Sequence, residues 1–211
     1  MFLITLPLGK SSTTLNVPKD IINQTCQKCA NQSIILSYNL CSTSLPAVPV
    51  SHSANLEGLA LVAMELALEN VTSTLATIEK LLDSTSLDNF ALGCLADCLE
   101  LYSDAAWTIV NSVGVFLSGN YDVTRIWMSS VMEAASTCQQ GFTGRGEASP
   151  LTQENYNLFQ LCGIALCIIH LATPGSQSEV LRKSEVRIAL WLICKNGASV
   201  GSRKVQAGVL G

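Results

Sequence analysis

The chain has 211 residues, of which 48% are hydrophobic, 13% are charged and 6% are aromatic, and its formal net charge is −4. A composition this apolar excludes an intrinsically disordered chain, and the length suits one domain with short extensions. The acidic balance also argues against a nucleic-acid partner, since binding to phosphates needs Lys and Arg.

The first 17 residues resemble an incomplete export signal. Phe2–Leu8 is apolar, but it is short and no basic residue precedes it. A secretory signal needs a charged start followed by roughly 7–15 apolar residues. We therefore expect residues 1–17 to be a truncated or atypical signal segment. Continuous apolar runs elsewhere fall short of the roughly 20 residues of a membrane-spanning helix, so no membrane association is predicted.

Charge separates the C-terminal segment from the rest of the chain. Residues 174–211 hold six Lys and Arg against two Glu, a net charge of +4, which leaves −8 on residues 1–173. The segment also follows Pro174-Gly175, a pair that stops a helix. We expect residues 174–211 to be a basic extra tail, either disordered or mispredicted, and residues 18–173 to be the folded domain.

Cysteines and glycosylation sequons indicate an oxidising compartment. The chain has nine cysteines, a high number for its length. Asn-x-Ser/Thr sequons occur at Asn23, Asn31 and Asn70. The sequence therefore predicts a secreted glycoprotein. An odd cysteine count leaves at least one thiol unpaired or intermolecular. The cysteines are Cys26, Cys29, Cys41, Cys94, Cys98, Cys138, Cys162, Cys167 and Cys194.

The first predicted element is a short α-hairpin. Pro18 suits the first turn of a helix, and a second short helix around Tyr38 is stopped by Pro46 and Pro49. Cys26 and Cys41 fall near the two tips of this hairpin. A bridge between them would close a loop of about 15 residues and stabilise the fold by roughly 3 kcal/mol.

Four longer helices are predicted after the hairpin, because apolar residues recur at three- and four-residue steps. They run over about residues 53–83, from a cap at Ser86 to Gly119, from Asn120 or Asp122 to Gly141, and from Ser149-Pro150 to Ala172. Short connections favour antiparallel neighbours. The predicted fold is thus all-α, an antiparallel up-and-down four-helix bundle with an N-terminal α-hairpin.

Two of these predicted helices have features that bear on packing. In the third long helix, Ile126, Ser130, Ala134 and Cys138 repeat every four residues and predict its buried stripe. The fourth is apolar nearly all round over residues 158–171, so we expect it to be central. A bridge between Cys98 and Cys138 would close about 40 residues, worth roughly 4 kcal/mol.

Candidate catalytic residues are few. The only histidines are His52 and His170, near a predicted helix start and a helix end, where a structural or solvated role is favoured over a catalytic one. A Ser, His and Asp arrangement typical of nucleophilic catalysis is lacking, as is a Gly-x-Ser-x-Gly turn. The sequence predicts no catalytic residue and a protein that is not an enzyme.

A metal site is the remaining chemical alternative. Cys26 with Cys29, and Cys94 with Cys98, could together supply four thiolates. In the favoured interpretation, Cys26 and Cys98 belong to disulfides, while Cys29 and Cys94 are small apolar core residues. We therefore predict no metal and no cofactor. The states of Cys29, Cys94, Cys162, Cys167 and Cys194 stay open.

Three stretches of the chain carry a family resemblance. They are Cys26 with the run YNLCSTSL at 38–45, DCLELYSDAA at 97–106, and SSVMEAASTCQQGF at 129–142. With these stretches the chain resembles the plant invertase and pectin methylesterase inhibitor family over about residues 18–172. The stretch SHSANLEGLAL at 51–61 is similar to the branch of pollen-allergen-like invertase inhibitors.

The resemblance implies both structure and function. It implies the disulfides Cys26–Cys41 and Cys98–Cys138, a location in the apoplast or cell wall, with the vacuole as an alternative, and a one-to-one complex that blocks a target enzyme's active-site cleft. By analogy, the second and third long helices form the contact surface. Their residues Thr108, Asn111, Asp122 and Arg125 are expected to be exposed there and to bind the partner.

The start of the third long helix bears on which enzyme is the target. Invertase-directed members resemble one another in a Pro-Lys-Phe stretch near the start of the third long helix, where this chain has Tyr121-Asp122-Val123. A Tyr-Asp pair at that place is similar to the pectin methylesterase inhibitors, so pectin methylesterase is the favoured target. Cell-wall or vacuolar acid invertase is the alternative. A helical bundle that binds a small apolar ligand is a more distant one.

Overall fold

The computed structural model describes residues 20–84 and 87–173, and within these two ranges the chain is all-α, with no β-strand. Short 3₁₀ helices occupy Pro49–Ser53 and Phe142–Arg145. The signal segment at 1–17, the tail at 174–211 and the cap expected at Ser86 lie outside the described residues. The six α-helices are α1 Ile21–Gln32, α2 Tyr38–Ala47, α3 Leu56–Leu82, α4 Asn89–Leu117, α5 Tyr121–Gly141 and α6 Thr152–Ala172.

Polar side chains fix the starts of the first five helices. In each case the residue before the helix accepts a hydrogen bond from the backbone N–H three residues later, which satisfies a donor that the helix leaves free. Asp88 therefore caps α4, and Asn120, rather than Asp122, caps α5. The capping residues are Asp20, Ser37, Asn55, Asp88 and Asn120.

The start of α6 differs from the prediction. Ser149 and Pro150 form a turn in front of the helix, in which the Leu151 N–H donates to Ser149 Oγ at 3.1 Å. The helix begins at Thr152, and Leu151 makes no side-chain cap. The pair Ser149-Pro150 therefore lies in the turn before α6 and does not form its first turn.

The four long helices share one core. α3 packs against α4 and α6, and α5 also packs against α4 and α6. Residues 158–169 of α6 are all buried, so its predicted central position is confirmed. By length and composition alone, α3 and α6 are long and apolar enough to cross a membrane, although neither contains a continuous apolar run of that length. In the most apolar 18 residues of α6, 72% are buried inside the protein. Its hydropathy is that of a core helix.

The buried face of α5 is not the predicted stripe. Ile126 is 61% exposed and Ser130 is also exposed, although Cys138 is buried. Steps of four residues advance by about 40° on an α-helix, so a four-residue repeat turns away from the core along its length. The face toward the core alternates steps of three and four and contains Thr124, Arg125, Met128, Val131, Met132, Ala135 and Cys138.

Three disulfides occur in the described residues, so the prediction of two is wrong in number. Cys26–Cys41 joins α1 to α2, and Cys98–Cys138 joins α4 to α5, as the resemblance implied. The third bond, Cys29–Cys167, joins α1 to α6. Cys29 is therefore not an apolar filler; only the packing of the hairpin on α6 brings its partner close.

The hairpin is also held to α6 by polar contacts. Gln160 is buried, and its Oε1 accepts the Ser37 N–H at 2.8 Å while its Nε2 donates to the Ile35 carbonyl at 2.9 Å. Next to it, Leu36 lies over Gly163, where a Cβ atom would come within 2.5 Å of Leu36 Cδ2. The turn between α1 and α2 thus fits a glycine-lined depression on the central helix.

Candidate protein-binding surface

A groove of about 400 Å³ runs along the surface between α4 and α5. Its floor is apolar, because Ala105 and Val131 are buried and Leu101 and Ala134 are half-buried. Its walls carry polar side chains and one exposed aliphatic side chain. The wall residues are Asp104, Thr108, Ile126, Ser130, Glu133 and Thr137.

The Cys98–Cys138 disulfide fixes the two walls relative to each other. It joins α4 and α5 with a Cα–Cα distance of 5.0 Å, one turn before Leu101 of the floor and next to Thr137 of the α5 wall. A covalent link at this point keeps the groove from widening when a partner approaches. The surface is therefore preshaped, which lowers the entropy cost of binding.

Carboxylates dominate the surface around the groove. Over the described residues there are fourteen Asp and Glu against four Lys and Arg. Neither helix carries a Lys, and Arg125 is their one Arg. A surface of this kind attracts a partner with a basic face. The exposed carboxylates of the two helices are Asp97, Glu100, Asp104, Asp122 and Glu133.

Exposed apolar side chains lie on the same two helices. Trp107 is 72% exposed, and Val110 and Leu117 are exposed further along α4. Ile126 adds an aliphatic side chain on the α5 wall of the groove. Tryptophan and aliphatic residues that combine with polar neighbours are typical of surfaces that bind proteins.

Three of the four predicted contact residues lie at this surface. Thr108 is half-buried in the groove wall, and its Oγ1 donates to the Asp104 carbonyl at 2.8 Å. Asn111, one turn further along α4, is exposed. The Asp122 side chain, 79% exposed, lies in the first turn of α5. The loop that joins the two helices has only three residues, so these positions share one end of the molecule.

The expectation that Arg125 is an exposed contact residue is wrong. Its side chain is only 7% exposed, and its Nη2 forms an ion pair with Asp122 Oδ1. The residue lies on the core side of α5, because it follows the buried Thr124 and precedes Met128 by three positions. Arg125 therefore contributes by holding Asp122 rather than as an exposed contact group.

Tyr121 fixes the first turn of α5 against its neighbours. Its hydroxyl donates to Glu57 Oε1 on α3 at 3.0 Å, and its ring meets Phe116 of α4 edge-to-face with centroids 5.2 Å apart. The hydrogen bond to the Glu57 carboxylate raises the pKa of Tyr121, because the bond is lost when the phenol ionises. The start of α5 is thus tied to both α3 and α4.

Several groove residues were not identified as contacts from the sequence. The sequence predicts Ile126 and Ser130 as part of a buried stripe, and it gives Asp104 no role in binding. Nothing in the sequence indicates that Glu133 and Thr137 belong to a binding surface. A prediction that alternates steps of three and four residues along α5 gives the correct buried face. It leaves Ile126, Ser130, Glu133 and Thr137 on the outer side of the helix.

The three sequons differ in their surroundings. Asn23 and Asn31 are exposed on α1, where Asn23 Oδ1 accepts the Tyr38 hydroxyl and Asn31 Oδ1 accepts Gln27 Nε2. Asn70 is half-buried in the middle of α3, and its Oδ1 is buried without a hydrogen-bond partner. Of the three, α1 offers the two more accessible acceptor sites.

The structure also places the candidate catalytic and metal-binding residues of the sequence. His52 is exposed, with Nε2 3.1 Å from the Pro46 carbonyl, and His170 is in the last turn of α6. The four-thiolate hypothesis fails, because Cys26, Cys29 and Cys98 are all in disulfides. Across residues 20–84 and 87–173, no group of three or more His, Cys, Asp or Glu is placed to hold a metal.

Two cysteines remain as free thiols in the described part of the chain, Cys94 and Cys162, and both are buried. Burial raises the pKa of the Cys162 thiol far above its ordinary value, since a thiolate there would lose its water. Burial, followed by the nearby Asp97 carboxylate, also raises the pKa of Cys94. Neither thiol is activated as a nucleophile.

Comparison with known proteins gives one family. The family model described as "Plant invertase/pectin methylesterase inhibitor" matches residues 20–168. A protein of Platanus orientalis named "Putative invertase inhibitor" is 35% identical over 156 residues, covering 74% of this chain and 91% of the relative. The "Pectinesterase inhibitor" of Actinidia deliciosa is 30% identical over 158 residues, covering 74% and 81%.

A solved structure matches in fold. It is the crystal structure of a mutant form of a pectin methylesterase inhibitor from Arabidopsis, with a TM-score of 0.61. The match covers 70% of this chain and 96% of that chain at 21% sequence identity. At this identity the similarity concerns the fold alone.

Proposed function

This chain belongs to the plant invertase/pectin methylesterase inhibitor family, whose members are inhibitor proteins rather than enzymes, and we propose that it inhibits a pectin methylesterase. The observation that supports this most is the acidic, disulfide-locked groove between α4 and α5. A protein that blocks an enzyme needs a stiff surface and no reactive group of its own.

In the proposed complex one inhibitor molecule covers the active-site cleft of one enzyme molecule. The four long helices stand as an antiparallel up-and-down bundle, and α4 and α5 face the enzyme. Thr108, Asn111 and Asp122 lie on this face together with Ile126. Arg125 supports the face from below by pairing with Asp122. Substrate is excluded because the groove walls occupy the space it needs.

The choice of target follows from the first turn of α5. Where the invertase-directed members have the stretch Pro-Lys-Phe, this chain has Tyr121-Asp122-Val123, so a negative charge replaces a positive one. Asp122 is held outward by Arg125, and Tyr121 is anchored to Glu57. The names of relatives point to both enzymes, and acid invertase is the alternative target.

The proposed location is the apoplast, with the vacuole as the alternative. One relative in Arabidopsis thaliana is named "Cell wall / vacuolar inhibitor of fructosidase 2". Three disulfides in the described residues need an oxidising compartment to form. N-linked glycans on the exposed Asn23 and Asn31 are part of the proposal, and the half-buried Asn70 is the weakest of the three acceptors.

The test uses the full chain, oxidised during secretion from a eukaryotic host, against a plant pectin methylesterase and a plant acid invertase. Residual activity of each enzyme is measured at increasing inhibitor concentration. We expect the esterase to lose activity and the invertase to keep it. Inhibition of invertase alone would transfer the proposal to the alternative target, and no inhibition of either enzyme would remove it.

A matched pair of variants tests the proposed surface. Asn111→Arg places a long cation on the exposed side of α4, while Ser73→Arg makes the same charge change at an exposed position of α3. We expect Asn111→Arg to raise the inhibition constant by about 10-fold or more, because like charges and a steric clash meet the basic partner. Ser73→Arg should change it by less than about 2-fold. Equal effects of the two would contradict the assignment of the face.

A further inference from the structure

A depression of about 420 Å³ lies where the two helices of the hairpin meet the 3₁₀ helix that follows them. Asp20 and Asn23 line it from the start of α1, and His52 lines it from the 3₁₀ helix. From α2 come Tyr38 and Ser42, which are four residues apart and therefore neighbours on one side of that helix. The depression is thus a junction of three elements.

Asn23 belongs both to this depression and to a glycosylation sequon. It is the acceptor of Asn23-Gln24-Thr25, it is exposed, and its Oδ1 accepts the Tyr38 hydroxyl. Because Oδ1 and Nδ2 point in different directions from one planar amide, this bond fixes the direction of Nδ2. An N-linked sugar is attached to Nδ2 and leaves Oδ1 an acceptor, so the Tyr38 bond is compatible with glycosylation.

The lining of the depression has the chemistry that a sugar needs. Tyr38 is 39% exposed, and the negative face of an aromatic ring attracts the slightly positive C–H groups of a pyranose. One oxygen of Asp20 accepts the Asn23 N–H at 3.2 Å, and the other is a possible acceptor for a sugar hydroxyl. Ser42 and His52 add a hydroxyl and an imidazole. Polar groups that converge around an apolar surface are typical of small-ligand sites.

We propose that this depression is the seat of the first N-acetylglucosamine of a glycan on Asn23. In the covalent step, Nδ2 loses a proton and bonds to C1 of the sugar. The C1–O bond of a lipid-linked oligosaccharide diphosphate breaks, and the lipid diphosphate leaves with the bonding electrons. The sugar then packs on Tyr38 and holds α1, α2 and the 3₁₀ helix together. This inference rests on the proposed glycosylation and is independent of the target enzyme.

Asn31 provides an internal comparison on the same helix. It is also an exposed sequon acceptor, but its Oδ1 accepts Nε2 of Gln27, an exposed side chain of α1 itself, at 3.0 Å. Asn31 does not line the depression. A sugar on Asn31 therefore lies outside the proposed seat and should add little to the stability of the fold.

The test uses two versions of the full chain with one sequon each. Ser33→Ala with Thr72→Ala leaves Asn23 as the acceptor, and Thr25→Val with Thr72→Ala leaves Asn31. Each is secreted from a eukaryotic host, and an endoglycosidase trims its glycan to one N-acetylglucosamine. The reference is the same chain made while glycan transfer is inhibited. Mass spectrometry gives the occupancy, and the difference in melting temperature between the two forms measures what the sugar contributes.

We expect one sugar on Asn23 to raise the melting temperature by about 2–4 °C, the shift that a modest contact gives in a domain of this size. The sugar on Asn31 should change it by less than about 1 °C. Adding Tyr38→Ala to the Asn23 chain should abolish the shift. Equal shifts at Asn23 and Asn31 would overturn the seat and leave glycosylation standing, whereas an unoccupied Asn23 in secreted protein would overturn both. Neither result depends on whether the chain inhibits an enzyme.

Nuclear magnetic resonance gives a second readout that needs no change at Tyr38. In the Asn23 chain with one sugar, magnetisation should pass between the Tyr38 ring protons and the protons of the N-acetylglucosamine. In the Asn31 chain with one sugar, it should not. A folded, occupied Asn23 chain without such transfer would contradict the proposal.

Discussion

The sulfur atoms of Cys29 and Cys167 form a disulfide that joins α1 to α6 across 138 residues of sequence. The other two bridges span 15 and 40 residues. In the chain-entropy model the longest loop restricts the unfolded chain most. This third bond is therefore expected to contribute most to the stability of the folded protein, and it keeps the hairpin on the central helix.

The first prediction concerns this bond. Replacing both cysteines, Cys29→Ala with Cys167→Ala, should lower the free energy of unfolding by up to about 5 kcal/mol, the value the chain-entropy model gives for a loop of this length. The double replacement avoids leaving a reactive thiol. Urea unfolding followed by circular dichroism provides the measurement. The matched control is Cys94→Ala, which removes a buried thiol that forms no disulfide.

Peptide mapping of the oxidised protein without reduction should recover Cys29 and Cys167 in one linked pair of peptides. Recovery of both as free thiols from folded protein would contradict the assignment. So would a double variant whose loss of stability is no greater than that of Cys94→Ala, because the bond would then contribute nothing.

The second prediction concerns the polar clamp on the hairpin. Gln160→Met keeps the length of the side chain but removes the acceptor for the Ser37 N–H and the donor to the Ile35 carbonyl. Two partly buried backbone groups would lose their partners, at a cost of up to about 2–4 kcal/mol in the free energy of unfolding. The control is Gln153→Met, at an exposed position of the same helix.

Amide hydrogen exchange at Ser37 reports on the clamp directly. Its amide should exchange much faster in Gln160→Met than in the unchanged protein, while amides in the middle of α3 keep their protection. Equal exchange at Ser37 in both proteins would show that the clamp does not hold the turn.

The third prediction concerns alkaline pH. Tyr102 and Cys162 are fully buried, and burial raises the pKa of both groups above their ordinary values of 10.0 and 9.0. In the unfolded chain they lose protons near those ordinary values, whereas in the folded protein they stay neutral. Their contribution to stability is therefore complete below about pH 8. It falls progressively as pH rises above 9 for the thiol and above 10 for the phenol, with a slope of up to about 1.4 kcal/mol per pH unit for each group.

The variant Tyr102→Phe tests how much Tyr102 contributes to this loss of stability at alkaline pH. It removes the titrating hydroxyl, which donates to Asn155 Oδ1 at 2.7 Å, so the free energy of unfolding should be lower at pH 8 but fall less steeply above pH 10. Unfolding free energies at pH 8 to 11 give both slopes. Both proteins carry the same thiols, so disulfide exchange affects them equally. Parallel slopes would contradict the role of Tyr102.

The sequence predicted the helices and their order because periodic apolar residues and local caps are encoded close together in the chain. Asn120 caps α5 as one of its two predicted candidates, whereas the cap of α4, Asp88, comes two residues after the predicted Ser86. The core position of α6 could also be predicted, since its apolar residues cover nearly its whole circumference.

Contacts between distant parts of the chain could not be predicted in the same way. The Cys29–Cys167 pair depends on how the hairpin packs on α6, and Gln160 depends on the same packing. The exposure of Ile126 and the burial of Arg125 both follow from the rotation of α5 about its axis. A four-residue repeat in the sequence does not determine that rotation, because it drifts around the helix.

The fourth prediction concerns the apolar part of the proposed surface. Ile126 is 61% exposed on the groove wall, and Ile34 is 100% exposed at the turn of the hairpin. Ile126→Ala should raise the inhibition constant for the target enzyme by about 10-fold, as expected for an aliphatic contact within an interface. Ile34→Ala should leave inhibition within about 2-fold, and neither change should lower the melting temperature. A larger effect at Ile34 would move the binding surface to the hairpin.

The most direct measurement is a titration of pectin methylesterase with the full oxidised chain, at an enzyme concentration well above the dissociation constant. Residual activity should fall in a straight line and reach its minimum at one inhibitor molecule per enzyme molecule. Acid invertase under the same conditions should keep its activity. A pectin methylesterase that stays fully active at several-fold excess of the chain would show that this protein is not its inhibitor.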